Sequence, residues 1–263
     1  MAEPALESLI AIALEAGGAI MPHYEGGTDA RQKEDGSPVT AADEAAEEII
    51  IKRLTDAGAS NIVAEEAVSA GKMPPPADVF YLVDPLDGTR EFISKNGEFT
   101  VNIARVEGGV PVAGVVYAPA IGVIYAGDDT GAWRATVNDG AIGPQEKITV
   151  AAPEKAVRVV ASRSHLTDET KAFIDRYDVE SFVSSGSSLK FCRVAEAAAD
   201  LYPRMGRTME WDTAAGHAVL KAAGGNVYTL DGKPLFYGKR DGDTFANPYF
   251  VAAGAFDPFT LAA

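Results

Sequence analysis

Residues 79–84 read VFYLVD, and the next five read PLDGT. Five apolar residues without a polar break predict a buried strand that ends at Asp84, with GTREF turning into a helix or helical turn beyond it. Any fold of this chain must therefore place two carboxylates, Asp84 and Asp87, at the end of an interior strand. Beside them the N–H groups of Gly88 and Thr89 open a helical turn, which favours an anion. Carboxylates next to an anion site repel the anion unless cations intervene. The economical reading is a divalent metal bridging carboxylates and phosphate. Two other readings compete. An Asp-Gly pair can simply close an Asx-type turn. Phosphatases with an aspartyl nucleophile also follow an apolar strand with two acids, but there the second acid comes two residues later. Here Asp87 is three residues after Asp84. The extra residue turns the second carboxylate relative to the first, which disfavours a nucleophile–acid pair.

The pattern around this stretch changes along the chain. Residues 4–22 carry Leu6, Leu9, Ile10, Ala13, Leu14 and Met21 at helical spacing, and predict an amphipathic helix. A polar, glycine-containing loop covers 23–38. Thr40 and Asp43 have capping-box spacing, and a second helix should run to Gly58. Strands are then expected at 61–65, 79–84, 100–106, 112–119 and 122–127, with MPPPAD (73–78) as a loop. From about residue 150 strands and helices alternate: a strand at 157–164, a helix through Phe173 and Tyr177, a strand at 181–185, a helix at 187–199, a strand at 200–205, a helix at 211–224, and a closing hairpin around Asp231-Gly232. Residues 1–150 therefore read as an α+β half with a largely antiparallel sheet, and 151–263 as an α/β half.

Three further acidic positions are ordinary when taken singly. Glu65 and Glu66 end the short apolar run NIVA and suit solvated surface. Asp212, after Trp211 in EWDTAAG, suits the dipole of a helix start. Asp43 is explained by its capping box. The small residues Ala214, Ala215 and Gly216 allow that helix to approach a neighbour closely, which suits a tightly built site.

Charge restricts the partners. The net charge is −15, so nucleic-acid backbone is a poor candidate. A small anion remains possible where metal ions or a local basic cluster overcome the field. The candidate cluster is Ser162-Arg163-Ser164-His165, Ser187, Lys190 and Arg204, with Lys190 three residues after Ser187 on one helical face. Singly, each base is better explained by surface ion pairing. One cysteine, Cys192, fits a reducing, cytoplasmic compartment. No run reaches membrane-spanning length, and LIAIAL lacks the basic flank of a signal peptide. Asp241-Gly242-Asp243 lacks the spaced ligands of a calcium loop and reads as a turn.

VDPLDGTREF, with IVAEE upstream and WDTAAG downstream, resembles the inositol monophosphatase superfamily. Within it, NGEFTVNIA (96–104), ASRSH (161–165) and GSSLKFCRVAEAAADLYPR (186–204) resemble the 3'(2'),5'-bisphosphate nucleotidase, or CysQ-like, branch. The resemblance implies a layered αβαβα sandwich of the inositol monophosphatase/fructose-1,6-bisphosphatase type. It implies a lithium-sensitive, Mg²⁺-dependent phosphomonoesterase with two or three ions, acting on a nucleoside bisphosphate in sulfur metabolism. Glu65, Asp84 and the carbonyl of Leu86 would hold a first ion, and Asp84, Asp87 and Asp212 a second. Thr89 would orient the attacking water, with Asp43 behind it as base and Glu65 beside the metals. Gly88 and Thr89 would receive the phosphate that is cleaved. His165, Ser187, Lys190 and Arg204 would hold the phosphate that is not, and Lys33 would lie on a loop closing over the metals. The four carboxylates carry a charge that two Mg²⁺ ions balance, and oxygen-only donors favour Mg²⁺ over Zn²⁺. The nearest alternatives are an inositol phosphate or another sugar phosphate as substrate, and a non-catalytic homologue that keeps the fold.

Overall fold

The computed structural model describes residues 3–27, 30–32, 38–161, 167–238 and 245–260. In the first half the elements are α1 (Leu6–Gly26), β1 (Arg31–Gln32), β2 (Pro38–Val39), α2 (Ala41–Asp56), β3 (Ile62–Ala64), α3 (Glu65–Ser69), β4 (Val79–Asp87), α4 (Thr89–Ile93), β5 (Thr100–Glu107), β6 (Val110–Ala118), β7 (Val123–Asp128), β8 (Gly131–Asn138), β9 (Ala141–Ile142) and β10 (Glu146–Ile148). In the second they are β11 (Val157–Ala161), α5 (Asp168–Ile174), β12 (Val179–Ser184), α6 (Leu189–Ala195), β13 (Leu201–Arg204), α7 (Ala214–Ala222), β14 (Asn226–Thr229) and β15 (Phe250–Ala253).

The larger sheet has the order β10-β8-β7-β6-β5-β4-β3, with β9 added to β8. Its ladders are antiparallel except β3 with β4. The smaller sheet runs β12-β11-β13-β15-β14, parallel on one side and antiparallel on the other. Period-2 alternation divides each strand between two cores. On β5, Val101 and Ile103 face the core under α1 and α2, while Ala104 and Val106 face a second core with α6 and α7. That second core also takes Val160, Tyr202 and Phe250 from the smaller sheet. Val159, Leu201 and Val251 face the other way, onto Phe173 and Ile174 of α5. The result is the expected αβαβα layering.

Several local expectations shift. α1 runs on to Gly26, four residues past the predicted end, despite Pro22. Tyr24 in the added turn packs against Phe92 and Phe99, with ring centroids 5.4 and 5.0 Å away. Glu65 begins a short helix rather than ending a strand. Strands β8 to β10 were not expected, because GAWRATVN is rich in small and polar residues. The turn at Asp231-Gly232 exists, but β14 finds its ladder on β15, which is distant in sequence. The Asp241–Asp243 turn lies outside the described residues.

The small residues do act as expected. A Cβ on Gly114 of β6 would lie 2.7 Å from the carbonyl oxygen of Ala215, and one on Gly127 of β7 would lie 2.7 Å from Ala222. Gly216 meets the ring of Phe191 in the same way. Helix α7 is thus pressed against the sheet, and the turn before it is brought to the end of β4. No helix among the described residues is long and apolar enough to cross a membrane.

Candidate active site

The site begins with a defect in a ladder. Asp84 pairs with Asn102 and Asp87 with Thr100 across β4 and β5, so three steps on one strand match two on the other. An odd spacing normally sends two side chains to opposite faces. The single extra residue at Pro85-Leu86 is a β-bulge, and it returns Asp87 to the face of Asp84. Pro85 lacks an N–H and suits such a position. Both carboxylates consequently face α6 and α7. The Asx turn is also present, since the Leu86 N–H donates to Asp84 Oδ1 at 3.0 Å. The turn and the site are one structure.

Two other elements deliver carboxylates to this point. Glu65 is the first residue of α3, whose next N–H, Glu66, donates to the buried Glu47 at 2.8 Å. Asp212 lies in the turn before α7, not inside the helix, with Thr213 as its N-cap. Its Oδ2 accepts from the Met209 N–H at 2.8 Å. Oxygens of Glu65, Asp84 and Asp212 all lie within 4.8 Å of one another. Burial, then the charges of Glu65 and Asp87, pushes the Asp84 carboxyl well above the usual carboxylate range. Asp212 is raised likewise, by burial first and then by Asp87 and Glu65. Such a cluster of acids is unfavourable without a cation.

Asp87 is held differently. Its Oδ2 accepts from the Ser188 N–H at 2.7 Å, from the Ser187 hydroxyl, and from Asn102 Nδ2 at 3.4 Å. Its Oδ1 has no hydrogen-bond partner among the described residues. Beyond it, Gly88 caps α4 in the left-handed region at φ 91°, a conformation natural to glycine. The Thr89 hydroxyl lies 3.4 Å from Asp43 Oδ1 and 3.5 Å from the Leu86 carbonyl. Asp43 keeps its capping box, because Thr40 N–H and Oγ1 both donate to its other oxygen, Oδ2, at 2.8 and 2.6 Å. One carboxylate thus serves the helix and the site.

A cavity of about 310 Å³ joins these groups to the basic candidates. Glu65, Asp87, Gly88, Thr89 and Asp212 line it together with Ser187, Lys190 and Arg204. Lys190 is buried and its Nζ donates to the Ser187 carbonyl at 3.0 Å. Desolvation pushes its ammonium down to about 8, with Asp87 opposing. Arg204 ends β13, and its buried Nε lacks a hydrogen-bond partner among the described residues. Ser187 sits at φ 49°, and its hydroxyl is spent on Asp87 and Thr100. His165, Arg163 and Lys33 lie outside the described residues.

Sequence reasoning passed over Thr100, Asn102 and Ser188, all buried: Asn102 and Ser188 bond to the acidic residues, and Thr100 to Asn102 and Ser187. A signal existed for Asn102. It shares its parity in TVNIARV with the inward residues Ala104 and Val106, so it is a polar side chain at a core position.

The donors suit a hard divalent ion. They are oxygens, they converge from three separate elements, and their crowding is relieved by positive charge. A model of the inositol monophosphatase family matches residues 1–254. The 3'(2'),5'-bisphosphate nucleotidase CysQ of Salmonella typhimurium is 45% identical over 248 residues, spanning 93% of this chain and 98% of that one. Its counterpart in Buchnera aphidicola is 40% identical, spanning 94% and 93%. Among solved structures, CysQ from Bacteroides thetaiotaomicron superposes with a TM-score of 0.78 at 40% identity, covering 95% of this chain and 97% of that one. An IMPase from Thermotoga maritima gives a TM-score of 0.74 at 26% identity, covering 95% and 92%. By family model, by identity to its relatives and by fold, this chain belongs to the inositol monophosphatase family.

Proposed function

We propose that this chain is a Mg²⁺-dependent 3'(2'),5'-bisphosphate nucleotidase that hydrolyses adenosine 3',5'-bisphosphate to AMP and phosphate. The observation that carries the reading is one cavity lined both by carboxylates, Glu65, Asp87 and Asp212, and by the bases Lys190 and Arg204. A substrate with two phosphates matches such a cavity: one group goes to the carboxylates to be cleaved, the other to the bases to be held. The identities of 40–45% to CysQ nucleotidases support the same choice.

Residues 1–150 supply Glu65, Asp84, Leu86 and Asp87, and residues 151–263 supply Asp212 and the basic end. Ions bound by these oxygens would clamp the attacking and leaving oxygens and neutralise the substrate's charge. The chain's own part is positioning and proton transfer. Thr89 orients a water towards phosphorus. Its hydroxyl takes the water's proton as it passes its own to Asp43 Oδ1, 3.4 Å away. The second proton of that water stays on the phosphate released, and the ribose oxygen leaves with a proton from solvent. Gly88 and Thr89 N–H groups hold the phosphate being cleaved. Lys190 and Arg204, with His165, hold the other through charge-assisted hydrogen bonds.

The test is phosphate release from adenosine 3',5'-bisphosphate, inositol 1-phosphate and fructose 1,6-bisphosphate, each with Mg²⁺, with EDTA and with added Li⁺. The expected result is preference for the nucleotide, loss in EDTA and inhibition by Li⁺. Preference for the inositol phosphate would overturn the substrate and leave the metal chemistry standing. Activity that survives EDTA would overturn the metal chemistry, and no hydrolysis at all would return the chain to a binding role.

A further inference from the structure

Buried Asn102 has an orientation dictated by groups that can only accept. Ser188 Oγ donates to the backbone carbonyl of Asp212 at 2.7 Å, so its one proton is spent there. The contact of 2.9 Å between Asn102 and Ser188 Oγ must then be a donation from the amide nitrogen. The same nitrogen faces Asp87 Oδ2, an acceptor, at 3.4 Å. Asn102 Oδ1 lies 3.0 Å from the Thr100 hydroxyl, whose oxygen is closer, at 2.6 Å, to the Ser187 hydroxyl. The chain of donors therefore runs one way, from β5 through the turn before α6 to the turn before α7. Backbone packing reinforces it. A Cβ on Gly186 would lie 2.8 Å from the side chain of Glu98 and 2.9 Å from its carbonyl, so Gly186 is seated directly on the residues that lead into β5.

We propose that Asn102 is a positioning residue that, with Ser188, sets how Asp87 and Asp212 are presented to a divalent cation. This rests on the metal-dependent reading above. The amide and the Ser188 N–H hold Oδ2 of Asp87 and leave Oδ1 for the cation, while the Ser188 hydroxyl ties down the backbone of Asp212. The distance between the two acids then depends on one amide side chain. An aspartate at position 102 has the same shape but no donor. It would set a carboxylate 3.4 Å from Asp87 Oδ2 and leave Ser188 Oγ without its donor.

The experiment titrates Mg²⁺ calorimetrically into the metal-stripped full chain, for the wild type, Asn102→Asp and Ser188→Ala. The same samples are melted in EDTA, and activity is followed against Mg²⁺ concentration. Asn102→Asp and Ser188→Ala should each weaken Mg²⁺ binding about 10–100-fold, the usual cost of losing an outer partner of a metal ligand. Added Mg²⁺ should restore most of the lost turnover of Ser188→Ala, which a damaged scaffold would not allow. Wild-type Mg²⁺ affinity in folded Asn102→Asp or Ser188→Ala would overturn the proposal, as would activity loss that Mg²⁺ does not restore. If Asn102→Asp does not fold, Ser188→Ala decides the matter. A wild type that binds no Mg²⁺ would instead remove the metal reading on which the proposal stands.

Discussion

At the acidic end of the site each aspartate is held by a backbone N–H: Asp84 by Leu86, Asp87 by Ser188 and Asp212 by Met209. At the basic end the side chains reach out on long stems. Lys190 Nζ finds the Ser187 carbonyl, and Arg204 reaches the Arg207 carbonyl at 3.4 Å. The difference follows from charge. Carboxylates that repel one another must be fixed by the scaffold before a cation arrives. Bases can be drawn to a phosphate when it binds, because attraction supplies the order. The acidic end is thus built from strand ends and turns, and the basic end from single side chains on separate elements.

Four experiments press on this contrast, and the largest effect belongs to the acidic end. Asp87→Asn should lower kcat about 10³-fold or more, since a cation clamp contributes several kcal/mol to the transition state. Steady-state kinetics at saturating Mg²⁺ would show it, and a loss confined to KM would mean the two ends are not functionally distinct.

Acid tests the scaffold between them. His217 on α7 is buried, bonded to Tyr237 and Asn226, and desolvation pushes its pKa down to about 4. The unfolded chain, with a histidine near 6.5, binds the extra proton first as pH falls. The stability due to neutral His217 is complete above about pH 6.5 and is lost as pH falls towards 4, by about 3 kcal/mol. Chemical denaturation of wild type against His217→Gln across that window should show the slope flattened in the variant. The acidic cluster titrates with the opposite sign, so the difference between the two proteins isolates the histidine.

At the basic end, Lys190→Ala should raise KM for the bisphosphate about 10–100-fold, the worth of a charged hydrogen bond, and spare kcat. A monophosphate substrate should be nearly unaffected. Equal losses on both substrates would place Lys190 with the catalytic groups. The smallest effect is structural. Gly114→Ala forces a Cβ against the Ala215 carbonyl and should cost about 1–3 kcal/mol in a thermal or denaturant melt. Mg²⁺ affinity should fall with it, because α7 carries the turn that holds Asp212.

Much of the acidic end was legible before the fold. Asp84, Asp87 and Gly88 lie in one covalent stretch, and the spacing of three already spoke against an aspartyl nucleophile. Glu65 and Asp212 looked ordinary alone and gained meaning only beside that stretch. The basic end was less legible, because a lysine and an arginine on different elements leave no spacing to read. Ser187, expected with the phosphate-binding group, lines the cavity beside Lys190 and Arg204 while its hydroxyl bonds Asp87 and Thr100.

The sequence by itself determined the helices with clear apolar stripes, the interior strands, the family, and which stretch carries the acids, because these depend on local periodicity and covalent order. Tertiary structure alone decided that β14 pairs with β15, that a bulge turns Asp87 to the face of Asp84, and that Asn102 joins the acids through Ser188. Those features depend on which strand lies opposite and on buried donors finding acceptors some ninety residues away. Only the packed molecule brings such groups within hydrogen-bonding distance.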